Sequence, residues 1–316
     1  MTQKPDLRNI FQNRRGKVSG QFSDILFTFF NSLFLIIICL FALYPIVFVL
    51  SASISDPAMV GTGRMLLFPV GITWEGYKTL LSYKDIWVGY GNTIFYTVVG
   101  TSLNLLATLP CAYALSRRDF SPRNKIMVFF MFTMFFSGGM IPSYLNVLKL
   151  GLVNTRFYIL IHGLINVNNL IVCRTFFANT IPWEMQEAAK LDGATDFSIF
   201  SRIILPLSRP IIVVMAMYYG VGRWNSYFTE MIYLKDRSKF PLQLILKEIL
   251  ADAQLSASAL ADVSEMEDVL AMLKQQDTAN LLKYCVIVAA TLPMMLIYPR
   301  LQKYFEKGVM IGSVKG

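Results

Sequence analysis

Charged side chains are missing from five long stretches of the chain. Residues 25–55, 91–116, 126–148, 157–173 and 284–299 contain no Asp, Glu, Lys or Arg. A sixth apolar run, 203–222, is interrupted only by Arg209. Crossing the hydrocarbon core of a bilayer takes about 20 apolar residues as a helix. Inside lipid every backbone amide and carbonyl must be satisfied by the protein itself, and a helix does this within one segment. The pattern therefore predicts an all-α membrane protein with six transmembrane helices, near 25–51, 91–116, 126–147, 156–175, 207–227 and 279–300. A soluble protein with a very large core is the other source of apolar helices. Six runs of this length, flanked by bases, argue against it.

Composition agrees with this pattern. The 316 residues are 55% hydrophobic and 16% charged, against about 25% charged in ordinary soluble domains. Lys and Arg are enriched in loops on the cytoplasmic side. With six spans both termini share a side, and the segments on that side hold more than half of the 29 bases, including Arg14, Arg15, Arg117, Arg118, Arg123 and Lys125. The opposite side includes the long loop 228–283, where acids outnumber bases. This bias places both termini of a multi-pass membrane protein in the cytoplasm. It also accounts for much of the net charge of +9 without a nucleic-acid partner. The first run is far longer than the 7–15 residues of a signal-peptide core, so it is expected to be a retained helix.

The resulting organisation is a cytoplasmic tail (1–24), a transmembrane domain (25–305) and a second cytoplasmic tail (306–316). The domain carries an external loop at 228–277 and a cytoplasmic loop at 181–206. Cys39, Cys111, Cys173 and Cys285 all fall within spans and form no CxxC pair, so neither a disulfide framework nor a metal site is expected.

The cytoplasmic loop has the chemistry of helix, turn, helix. Pro182 suits a first helical turn, where its missing N–H is not needed, and Glu184 complements the positive end of the helix. Gly193 is placed to end that helix in a left-handed conformation. Thr195 or Asp196 can cap the next helix, and Pro206 is expected to break it before the fifth span. Ala188 and Ala189 are small enough to let another surface approach closely, while Glu187, Lys190 and Asp192 offer charged contacts around them. A short rigid helix tied to two spans can transmit a push into both.

Three runs in this loop resemble the EAA signature of permeases in ATP-binding-cassette importers: Glu187-Ala188-Ala189, Asp192-Gly193-Ala194 and Ile204-Leu205-Pro206. The resemblance implies the type I, MetI-like permease fold. It implies a coupling helix, with Glu187, Ala188, Ala189, Asp192, Gly193, Ala194, Leu205 and Pro206 at the ATPase contact. It also implies partners: a second permease subunit, two ATPase subunits that bind the ATP and Mg, and an external solute-binding protein. Further runs are similar to carbohydrate-type permeases, namely Tyr113-Ala114-Leu115-Ser116-Arg117, Ile141-Pro142, residues 150–155 and Trp224-Asn225. The ending, 308–316, is similar to the tail of the shorter subunit of maltose permeases. That likeness implies that Gly312, Ser313, Val314, Lys315 and Gly316 reach the ATPase pair. The chain also resembles a subgroup associated with complex and uronic-acid oligosaccharides.

Catalytic chemistry is not legible. The chain has no G-x-x-x-x-G-K-[ST] phosphate loop, and its single histidine, His162, excludes an H-E-x-x-H metal site. ATP hydrolysis is therefore assigned to separate subunits. Thr97, Thr101, Asn104 and Thr108 recur along one face of the second span. His162, Asn166 and Asn169 form a similar stripe in the fourth. Tyr218, Tyr219, Trp224 and Asn225 could give a sugar both hydroxyl partners and aromatic faces. Such polar groups either bond across helix contacts or face a wet path, and both readings stay open. The rival functions are an importer permease for a non-sugar solute, a stand-alone gradient-driven carrier and a membrane scaffold.

Overall fold

The computed structural model describes residues 22–259, 279, 281–297 and 299. Among them every regular element is helical. In chain order they are α1 (Phe22–Ala52), α2 (Pro57–Gly61), α3 (Glu75–Ser82), α4 (Lys84–Ser116), α5 (Arg123–Phe135), α6 (Met140–Lys149), α7 (Arg156–Ile161), α8 (Val167–Thr180), α9 (Trp183–Leu191) and α10 (Asp196–Ile199). A π-helical turn (Phe200–Ile204) leads to α11 (Leu205–Leu207), α12 (Arg209–Trp224) and α13 (Phe228–Tyr233). A 3-10 turn (Arg237–Lys239) precedes α14 (Leu242–Ala259), and α15 spans Leu281–Ile297. Most of the expected first tail, all of the second, and 260–277 of the external loop lie outside the described residues.

Among the described residues two helices, α1 and α4, are each long and apolar enough to cross a membrane unaided. α1 is exposed over most of its length. It is held at its far end, where Tyr77 Oη donates to Ser53 Oγ at 2.8 Å and the Phe48 ring meets Tyr284 edge-on. α4 is the axis of the molecule, about 50 Å long at 1.5 Å per residue, and packs against α7, α8, α12 and α14. Two of its glycines permit this. A Cβ at Gly89 would sit 2.7 Å from Ile245 Cδ1 and 3.1 Å from the Leu242 Cα, and one at Gly100 would sit 3.0 Å from Arg223 Nε. Small residues at such crossings let neighbouring helices approach closely within a membrane.

Three apolar clusters follow α4. At its Ser116 end, Leu109, Tyr113, Phe177, Ile199, Ile204 and Met215 pack together. At its Lys84 end, Leu80, Ile86, Trp224, Ile245, Leu281 and Cys285 do so. Tyr96, Val147, Tyr158, Ile159 and Tyr233 form the third.

Three of the six expected spans are not single helices. The third is a pair: α5 ends at Phe135 and α6 leaves it at 111°. Gly139, at φ +84°, makes this turn, a conformation glycine adopts without steric cost. The fourth is divided. α7 is only six residues, 162–166 are non-helical with Gly163 at φ +63°, and α8 starts at Val167. The fifth begins at a bend of 82°, located at Ser208 rather than at Pro206. Pro206 and Pro210 each sit in a first helical turn, where proline is tolerated. Pro210 has no N–H to return to the Pro206 carbonyl, so the ladder is interrupted between them. The π-helical turn just before this bend widens the helix, a feature common at functional sites.

Candidate functional site

The loop 181–206 folds as two short helices around a glycine turn, docked on the Ser116 end of α4. Asp192 caps α9, and Gly193 follows at φ +80°. Gly193 N–H donates to Lys190 O at 3.0 Å and Ala194 N–H donates to Ala189 O at 2.9 Å, the paired closing bonds of a Schellman turn. Thr195 then caps α10, its Oγ1 accepting from Ser198 N–H at 3.3 Å. Pro182 is the N-cap of α9, in extended geometry, one position earlier than its expected place in the first turn.

The two faces of α9 differ. Gln186 and Ala189, three residues apart, are buried against the rest of the chain, while Glu184, Met185, Glu187, Ala188, Lys190 and Leu191 are exposed. The expected patch of two alanines is therefore not a single surface. Ala189 packs into the cluster with Tyr113, Phe177 and Ile199, and Ala188 alone points outward. Beside it Leu191 is 90% exposed and Phe197 78% exposed. Asp192, Gly193 and Pro206 are exposed, while Ala194 and Leu205 are half-buried. Trp183 Nε1 donates to Glu187 Oε1 at 2.6 Å, which pins that carboxylate along α9.

What holds α9 is a charge network centred on Arg117, the residue that ends α4. Its side chain is only 9% exposed. Nε and Nη2 donate to the two oxygens of Asp119 at 2.9 and 2.5 Å, and Nη1 donates to Asp196 Oδ1 at 2.6 Å. Lys190 Nζ donates to Asp119 Oδ2 at 2.7 Å, joining α9 to the same carboxylate. Tyr113, one turn before Arg117, donates to Gln186 Oε1 at 3.2 Å and accepts from Arg117 Nη1 at 3.3 Å. Its ring stacks on Phe200, with centroids 5.2 Å apart, and meets Phe177 edge-on. One helix end thus grips α9, the α9–α10 turn and the π-helical turn together.

Bidentate pairing of this kind is strong and geometrically demanding. The Arg117 bonds, followed by Lys190, hold the Asp119 carboxyl well below its ordinary value of 3.8. Because that value is depressed in the folded protein, its contribution to docking is complete above 3.8 and is lost as pH falls further toward the depressed value. Arg117 and Asp119 were not legible as site residues. The signal available was a Tyr and an Arg four apart at a helix end, followed by an acid two residues on. An open cavity of about 520 Å3 adjoins the network, lined by Tyr113, Arg117, Asp119, Phe120, Asp196 and Phe197.

The expected path residues separate into packed and exposed sets. Asn104 is fully buried and donates through Nδ2 to Gly163 O and Leu164 O at 2.9 and 2.7 Å. Tyr219 is buried between Thr108 Oγ1 at 2.8 Å and the Asn166 N–H, which donates to it at 3.1 Å. Trp224 is buried and donates to Ala290 O at 2.9 Å. These residues serve helix packing. His162, Asn166, Tyr218 and Asn225 are exposed, and Asn169 is half-buried. The His162–Asn166–Asn169 stripe is not a helical face, because His162 ends α7 and Asn166 caps α8. Thr97 and Thr101 line an apolar cavity of about 470 Å3 with Val213, Gly220 and Met294. The expected tail contact at 312–316 lies outside the described residues.

Sequence reasoning also missed Arg223, although an ionisable residue inside an apolar run is by default a functional candidate. Its guanidinium donates to Ile159 O at 2.6 Å, Leu160 O at 3.0 Å, His162 O at 3.0 Å and Asn104 Oδ1 at 3.2 Å.

Comparison with known proteins places this geometry. The chain is 38% identical over 283 residues to the polygalacturonan/rhamnogalacturonan transport system permease protein YtcP of Bacillus subtilis (strain 168), covering 90% of this chain and 96% of that one. It is also 38% identical over 286 residues to Protein LplC of the same organism, covering 90% and 94%. Among solved structures it matches a chain of a bacterial ABC transporter involved in the import of the acidic polysaccharide alginate. That match has a TM-score of 0.78 and 37% identity, covering 90% of this chain and 98% of that chain. The family described as "Binding-protein-dependent transport system inner membrane component" matches residues 86–311, which include α4 from Ile86 onward, the loop 181–206 and everything between them. This protein belongs to that family of inner membrane permease components of binding-protein-dependent transport systems.

Proposed function

We propose that this chain is one permease half of an ATP-driven importer for a sugar, most specifically an acidic oligosaccharide. It works beside a second permease subunit, with two separate ATPase subunits that bind ATP and Mg, and with an external solute-binding protein. Relatives named for polygalacturonan and rhamnogalacturonan transport, and a structural relative from an alginate importer, support the cargo class. Both termini and the loop 181–206 face the cytoplasm, in keeping with the basic residues around Arg117, Arg118 and Arg123.

The observation that carries the mechanism is the two-faced character of α9. Its inner face is locked to α4 through Gln186, Ala189 and Lys190, while Ala188, Leu191 and Phe197 stand outward without apolar cover. Exposed apolar side chains beside a small residue fit insertion into a cleft of an ATPase subunit. The cavity beside Arg117 leaves room for a side chain of that subunit. When the ATPase pair closes on ATP, α9 moves as a rigid knob, and the Arg117 network passes the movement to α4 and through the π-helical turn to α12. Access to the path then alternates. ATP and the loaded binding protein both favour one state because each binds that state better.

Reconstitution tests this reading. The four-part complex in lipid vesicles is expected to hydrolyse ATP several-fold faster when cargo-loaded binding protein is added, with cargo accumulating inside. This chain alone is expected to do neither. Flux through the isolated chain would favour a gradient-driven carrier instead.

A further inference from the structure

The division of the fourth span lies deep in the membrane. Asn104, whose side chain is bonded to it, stands about 18 Å along α4 from Ser116 at 1.5 Å per residue. That is close to the middle of a hydrocarbon core about 30 Å thick. At this depth non-helical backbone exists only where it is buried in protein or lines water, since no lipid group can satisfy a free carbonyl. α7 ends here, so its last carbonyls have no helical partners. Ile159, Leu160 and His162 receive N–H groups from Arg223, and Gly163 and Leu164 receive them from Asn104. Arg223 and Asn104 are themselves joined at 3.2 Å. Gly100 is the close neighbour of the Arg223 side chain, and a Cβ there would crowd its Nε at 3.0 Å.

The inner side of the division is therefore satisfied by two side chains from two other helices. The outer side is not covered by the described residues of this chain. His162, Gly163, Asn166 and Asn168 are all exposed. His162 Nδ1 lies 3.0 Å from Tyr158 Oη, which fixes the ring and turns Nε2 away from that contact. Asn166 Oδ1 accepts from Asn169 N–H at 3.2 Å, and its Nδ2 makes no hydrogen bond among the described residues. A polar edge of imidazole, amide and glycine backbone at the midplane cannot rest against lipid tails.

We propose that this edge is a contact station for the hydroxyl groups of passing sugar, and that Arg223 and Asn104 are the positioning residues that hold the span open to form it. The inference rests on the importer reading and adds to it the location of a cargo contact. The imidazole and the amide each supply a directional partner for a hydroxyl, and Gly163 lets a sugar ring approach the backbone closely. Arg223 acts here by position, since each of its three side-chain nitrogens already donates to the division or to Asn104 Oδ1. A continuous helix would hide the same backbone and leave the path without this edge.

The test uses the full complex in vesicles, in a Cys39→Ser background, with His162→Cys. A charged, water-borne methanethiosulfonate is expected to modify Cys at 162 in the assembled complex. Loading the complex with cargo-bound binding protein is expected to slow that reaction at least fivefold. No modification in any nucleotide state would show the edge sealed against the second permease and would overturn the proposal. Modification unaffected by cargo would overturn it as well. In parallel, Arg223→Met and Arg223→Lys are expected to lower uptake at least tenfold while cargo-stimulated ATPase stays within twofold of the parent. Unchanged uptake would overturn the positioning role, as would a parallel fall in ATPase, the mark of a merely structural residue. Failure of the importer reading appears separately, as an unmodified complex without cargo-stimulated ATPase.

Discussion

Replacing Gly193 with aspartate is expected to abolish uptake while leaving the protein inserted and assembled in the membrane. Gly193 holds φ +80°, and its amide closes the turn between α9 and α10 through Lys190 O. Beyond its own and the adjoining residues, no heavy atom lies within 4 Å of a Cβ built there, so a Cβ meets no obstacle. Its cost is conformational, about 1–2 kcal/mol for a left-handed non-glycine residue. That corresponds to roughly a 5- to 30-fold loss of the docked turn. The new carboxylate also stands next to Asp192 and close in sequence to Asp196, the partner of Arg117, so like charges add to the strain. Gly193→Asn separates the two effects. Asparagine and aspartate tolerate the left-handed region alike, but asparagine brings no charge, so it bears the conformational cost alone and is expected to retain a substantial part of the activity. Transport assays of the two variants at matched membrane levels check this, and equal uptake by the aspartate variant and the parent would contradict it.

Arg117→Met is expected to uncouple the engine from the path. The change leaves Lys190, 2.7 Å from Asp119 and 4.0 Å from Asp196, as the one cation those two carboxylates share among the described residues, and it removes the bond to Tyr113, which is itself bonded to Gln186 on α9. Breaking a fully buried ion pair costs about 3–5 kcal/mol. The two carboxylates here are 38% and 67% exposed, so solvent screening reduces the expected loss to about 1–2 kcal/mol. ATP hydrolysis by the complex is expected to continue, while sugar moved per ATP falls at least fivefold. Arg117→Lys keeps the charge but not the fork that reaches both carboxylates, and is expected to fall between the two. Measuring flux and hydrolysis on the same vesicles decides the matter, since a network that only stabilises the fold would lower both together.

The membrane character and the turn chemistry of the loop were legible because each depends on local sequence. Charge-free runs mark spans wherever lipid excludes unpaired charge, and the Gly193 and Thr195 positions follow from the needs of helix ends. The interruptions of the spans were not legible. Hydropathy averages over a window, and His162-Gly163-Leu164-Ile165-Asn166 is apolar enough to pass as helix. What makes an opening possible there is a set of donors from Asn104 and Arg223, about 60 positions away on either side, and no local pattern announces them. The orientation of Ala189 was hidden for a similar reason. Two adjacent alanines look alike in sequence, yet neighbours on a helix point about 100° apart, so only one of them can face a partner. Proline position misled in the other direction. Pro206 suggested a break, and the break formed two residues later, where Pro210 fails to return a hydrogen bond.

The central claim, that α9 is gripped from outside by an ATPase while its inner face stays locked to α4, is tested most directly by disulfide trapping. Single cysteines replace Ala188 or Ala189 in the assembled complex, opposite a cysteine in the cleft of the ATPase subunit. Capture at position 188, with little or none at 189, is the predicted result. Failure of both positions to capture the ATPase, or equal capture at the two, would contradict the account.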